Sequence, residues 1–124
     1  MKKKFVTFVF LFGLVAVLAL LPDVARAENC AGQVVIYNNS SYVVQMIAIN
    51  NPWEHLDVPA GATYLGHIPY NQPQGFAKDV PGVGEIKLFK LQVDSQCDFG
   101  GDAQVWVNNN TAWYALPQGF STAW

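Results

Sequence analysis

The segment Gln104–Trp113, QVWVNNNTAW, sets two tryptophans at matching distances on either side of a run of asparagines. Its β-favouring valines and tryptophan lead into the asparagines, a strand running into a turn. Asparagine tolerates the positive φ that tight two-residue turns require. If Asn109 and Asn110 form that turn, Val107 stands opposite Ala112 and Trp106 opposite Trp113. One face of the hairpin then carries Gln104, Trp106, Asn108, Thr111, Trp113 and Ala115; the other carries Val105, Val107, Ala112, Tyr114 and Leu116. The second set is the better core face, so the indoles belong outside. There they are expected to be covered by the C-terminal tail PQGFSTAW, through Phe120 and Trp124, or else to form a binding face. A three-residue turn over Asn108–Asn110 would pair Trp106 with Ala112 instead and remove the indole pair.

The same grammar occurs earlier. Gln33–Tyr42, QVVIYNNSSY, aligns without gaps on QVWVNNNTAW and reads as a second hairpin. Further candidate strands are Tyr42–Ile49, Ala62–Ile68 and Glu85–Val93, set between frequent Gly, Pro and Asn and with no sustained helical periodicity. The expectation is an all-β chain, a small single-domain antiparallel β-sandwich or small barrel. Within Glu85–Val93, EIKLFKLQV, the apolar residues change face: Ile86 and Leu88 share one side, Phe89, Leu91 and Val93 the other. A strand cannot bury both sets against one core, so a bulge near Leu88 and Phe89 or a crossing between layers is required.

The first residues supply Lys2, Lys3 and Lys4, an apolar run from Phe5 to Leu21 and the step Ala25-Arg26-Ala27. This is the pattern of a cleaved secretory signal peptide over residues 1–27, followed by one domain over 28–124 with no membrane span in the mature chain. That part keeps three lysines against eight carboxylates, a charge of −5. It has no basic footprint for nucleic acid or anionic lipid. A secreted or periplasmic location makes a disulfide between Cys30 and Cys97, the two cysteines of the chain, the leading expectation.

Chemistry-bearing residues are few. His55 and His67 flank VPAGAT, so a hairpin of Glu54–Val58 with Tyr64–Ile68 would bring two imidazoles together, the ligand type for a metal-assisted hydrolase. Asp94, Asp98 and Asp102 surround Cys97 and two glycines and offer oxygen ligands for calcium, although the spacing is not that of a D-x-D-x-D-G loop. Solvated turns and structural histidines are the favoured account of both groups. No G-x-S-x-G, H-E-x-x-H or phosphate-binding glycine loop is present.

The sixteen-residue stretch Pro69–Gly84 is long for a connection, and its Tyr70 and Phe76 suggest a presented contact surface unless short strands run through it. Asn38, Asn39 and Asn109 each begin a glycosylation sequon at an expected turn. The reading is an exported binding protein without cofactor that contacts a protein or glycan partner through Trp106, Trp113, Tyr70 and Phe76. A self-associating structural protein of the envelope or matrix is the alternative.

Overall fold

A computed structural model describes residues 30–123; the signal peptide expected over 1–27 and Trp124 lie outside the described residues. Nine strands follow in chain order: β1 Ala31–Asn38, β2 Val43–Ala48, β3 His55–Val58, β4 Thr63–Pro69, β5 Gln74–Val80, β6 Gly84–Val93, β7 Ala103–Val107, β8 Ala112–Ala115 and β9 Phe120–Thr122. They form two sheets, one ordered β4-β1-β7-β8 and the other β3-β2-β5-β6-β9. The all-β expectation holds, with no helix among the described residues. Strand pairing is antiparallel throughout except for β1 with β7, which is parallel and corrects the expectation of a wholly antiparallel fold. A parallel pair of this kind needs a long crossover, and here the five strands between β1 and β7 supply it.

One core lies between the sheets. Val34 and Ile36 of β1, Val105 and Val107 of β7 and Ile68 of β4 meet Val44 and Met46 of β2, Phe76 of β5 and Leu91 of β6. Each strand contributes every second residue, as the pleat demands. The cysteines are joined: Cys30, just before β1, is bonded to Cys97 in the β6–β7 connection, across a separation of 67 residues. In the chain-entropy account, closing so long a loop stabilises the fold by roughly 4 kcal/mol.

The change of face in β6 is resolved by a bulge. Phe76 pairs with Phe89 but Ala77 pairs with Lys87, which leaves Leu88 as the extra residue. Phe89, Leu91 and Val93 thereby keep the inner face, and β6 stays in one sheet. Three strands escape the sequence reading. β3 and β9 have four and three residues, too short for a period to show. β5 places Gln74 and Lys78 on its inner face beside Phe76, so its alternation is masked by buried polar residues. The stretch Pro69–Gly84 is therefore largely a strand and not a loop. Phe76, 1% exposed, fills the core and cannot be a surface contact.

The expected hairpin over Gln33–Tyr42 also fails. β1 and β2 belong to different sheets, and Asn39–Tyr42 carries the chain from one layer to the other. Asn38 holds this arch from inside, fully buried. Its Nδ2 donates to the carbonyls of Tyr42, Val58 and Pro59, and its Oδ1 accepts from the Ser40 amide and hydroxyl.

Candidate functional site

The β7–β8 hairpin forms in the expected register, with Trp106 opposite Trp113 and Val107 opposite Ala112. The turn closes through Asn108 N–H donating to the Thr111 carbonyl at 2.7 Å. Neither Asn109 nor Asn110 has positive φ, which excludes the primed turn types that the asparagines suggested. The asparagines instead serve as acceptors. Lys78, on the inner face of β5, reaches across to donate from Nζ to the carbonyls of Asn108 (3.3 Å) and Asn109, and its ammonium lies 5.7 Å from the centre of the Tyr42 ring. The Asn109 Oδ1 accepts from the Ser41 amide at 2.7 Å, and the Val107 carbonyl accepts from Asn39. The two asparagine turns thus dock on one another.

On the outer face above this junction a third ring joins the tryptophans. Tyr37 lies beside Trp106 in the parallel β1–β7 register. The ring centroids of Tyr37 and Trp106 are 5.6 Å apart with planes at 11°; those of Trp106 and Trp113 are 5.8 Å apart at 17°. Near-parallel planes at these separations are offset-stacked, so the middle indole has neighbours on both faces. Trp113 ends the row on β8, the sheet edge, and is 45% exposed. The outward face of the Trp113 indole therefore has no ring neighbour among the described residues. The second row of the same face is Leu65, Val35, Gln104 and Ala115, with Leu65 more than half exposed.

Phe120 does not cover this row. It pairs into the other sheet through β9, packs on Phe99 at 5.2 Å and is 7% exposed. Its ring rests on the bare backbone of Gly32, where any Cβ would come within 2.5 Å of it. Trp124, the other expected cover, lies outside the described residues.

The remaining candidates are dispersed. Tyr70 follows β4 at the end opposite Thr63, the neighbour of Tyr37, and six residues of extended chain place the two levels roughly 20 Å apart. Tyr70 is half-buried, packs on the core and donates its amide to the Cys30 carbonyl. His55 and His67 stand on strands of different sheets, so the hairpin that was to join them does not form. His55 Nδ1 contacts Asp57 Oδ1 at 2.7 Å, an oxygen that also accepts from Gln45. His67 sits opposite Gln33. Asp94 accepts from Ser121 and Asp98 from Gln118; Asp102 is exposed just before β7. Among the described residues no three His, Cys, Asp or Glu side chains gather to hold a metal ion.

Two aromatics were missed by the sequence reading. Tyr37 enters the row only through a pairing 69 residues long, which no local pattern reports. Trp53, in the β2–β3 turn, is 74% exposed, and its position among Asn51, Pro52 and Glu54 was a readable signal of an indole at a loop tip. Among the described residues no helix is long and apolar enough to cross a membrane. Comparison with known proteins finds no matching family model, curated protein or solved structure.

Proposed function

We propose that this chain is a small exported binding protein whose recognition element is the aromatic row ending at Trp113. The observation that carries the reading is the position of that indole: half-exposed, stacked from behind by Trp106 and Tyr37, and located on an edge strand with no strand beyond it among the described residues. Stacking fixes the ring before a ligand arrives, so little side-chain entropy remains to be lost on binding. Its free face suits the apolar side of a sugar ring, and Gln104 on the same face offers amide hydrogen bonds to hydroxyls. The Cys30–Cys97 bridge is compatible with an extracellular or periplasmic setting. The test is titration of the protein with soluble oligosaccharides of several linkages, read by tryptophan fluorescence. Binding to one class, lost at least tenfold in Trp113→Ala and retained in Trp53→Ala, supports the reading; no response to any glycan, or equal binding by Trp113→Ala, defeats it.

A second reading, self-association, is favoured by the same edge. Among the described residues β8 has no strand on its outer side along Ala112–Ala115, and two copies can pair there antiparallel. Sedimentation at increasing concentration separates the two: a monomer throughout rules out the pairing, whereas a dimer that Tyr114→Pro abolishes establishes it.

A further inference from the structure

The outer face of the other sheet carries a groove of about 440 Å³, within the usual size range of small-ligand sites. Gly75 and Ala77 of β5 floor it, Ile47 and Ile49 of β2 with Pro52 form one wall, and the bulged Leu88 of β6 forms the other. Lys87 and Lys90 also line it. Residues three apart on a regular strand point to opposite faces. The extra residue at Leu88 shifts the count, so Lys87 pairs with Ala77 and Lys90 with Gly75, both on the outer face.

This chain is acidic, and the described residues hold three lysines. Lys78 serves the carbonyls of the β7–β8 turn. Lys87 and Lys90 have no hydrogen-bond or ion-pair partner among the described residues, and both line this apolar trough. Glu85 also lines the groove, at its end beyond Ala77 where it pairs with Asp79, and a further carboxylate stands on β3, where Asp57 holds His55 and Gln45. The field along the groove therefore has a direction: positive beside Ile47 and Ile49, negative beyond Ala77.

We infer that this groove binds a single-chain anionic amphiphile, a fatty-acid carboxylate, with its head at Lys87 and Lys90 and its chain along Ile47, Ile49, Pro52 and Leu88. Charge complementarity selects the head. The floor selects the chain: it lies inside a sheet whose backbone groups are already paired with neighbouring strands, so a peptide laid across it would leave its own amides unsatisfied. A hydrocarbon chain has no such need. This site is on the opposite side of the molecule from Trp113 and stands independently of the glycan reading.

The test is calorimetric titration of protein expressed from the full sequence with dodecanoate below its micellar concentration, beside dodecanol and dodecyltrimethylammonium. Saturable 1:1 binding of dodecanoate is expected, weakened at least tenfold in the Lys87→Gln/Lys90→Gln double variant and unchanged in Trp113→Ala. Gly75→Leu fills the trough and should abolish binding; a Cβ there meets nothing nearer than 3.9 Å, so the backbone accommodates it. Should that variant misfold, the lysine pair, which is exposed and makes no structural contact, still decides. Absence of saturable binding, equal affinity for the alcohol or the cation, an unchanged double variant, or loss in Trp113→Ala would each overturn the inference.

Discussion

QVVIYNNSSY and QVWVNNNTAW align residue for residue, yet one is an arch between sheets and the other a hairpin within a sheet. The difference lies in what the asparagines do. In the arch Asn38 is fully buried and its amide joins β1, the Tyr42 corner and the end of β3. In the hairpin Asn109 is exposed and contributes through its carbonyl and side-chain oxygen. The partners decide the outcome: once Tyr42 and Val58 surround Asn38, its donors are satisfied only if the chain leaves the sheet. The aligned positions do not even pair. The alignment sets Gln33 against Gln104, whereas the structure sets Val35 against Gln104. A shift of two residues preserves the buried face, which is why the two copies can still lie side by side.

Asn38→Ala breaks the comparison most severely. It leaves three carbonyls and the Ser40 donors without their partner in a buried site, and denaturant unfolding should show a loss of roughly 3 to 4 kcal/mol. Lys78→Met should cost about 2 kcal/mol in the same measurement, because the carbonyls of Asn108 and Asn109 lose a charged donor where the turns dock. Trp113→Ala removes the end of the stack and should cost about 1 kcal/mol, with most of the hairpin intact. Asn109→Ala should cost about 0.5 kcal/mol, since the Ser41 amide it releases is exposed. A loss at Asn109 equal to that at Asn38 would show that the two turns are equivalent after all. The sequons sharpen the same contrast: Asn38 has its Nδ2 fully engaged and unexposed, so in a glycosylating host the folded chain should be modified at Asn39 or Asn109 and not at Asn38, as peptide mass mapping would report.

The groove and the aromatic row were legible to different degrees. Trp106 opposite Trp113 follows from alternation and a two-residue turn, both local. The face change at Leu88 was also readable as a demand for a bulge, but not its consequence, because the positions of Gly75 and Ala77 beneath Lys87 and Lys90 depend on β5, whose inner Gln74 and Lys78 concealed it. The histidine and aspartate groups fail for the opposite reason. Closeness along the chain suggested a histidine pair that the two sheets then separate, and a group of aspartates in the β6–β7 connection of which Asp94 and Asp98 take Ser121 and Gln118 as partners.

By itself, the sequence determined the β class, the disulfide partners, six of the nine described strands and the inner face of the β7–β8 hairpin, since a pleated strand with one wet side must alternate. Tertiary structure decided which asparagine turn stays in its sheet, that Tyr37 completes the row at Trp113, and that two lysines three apart share a face. Those outcomes rest on pairings between distant strands, and a distant pairing forms where buried polar groups and apolar area are satisfied together, a condition that no local stretch contains.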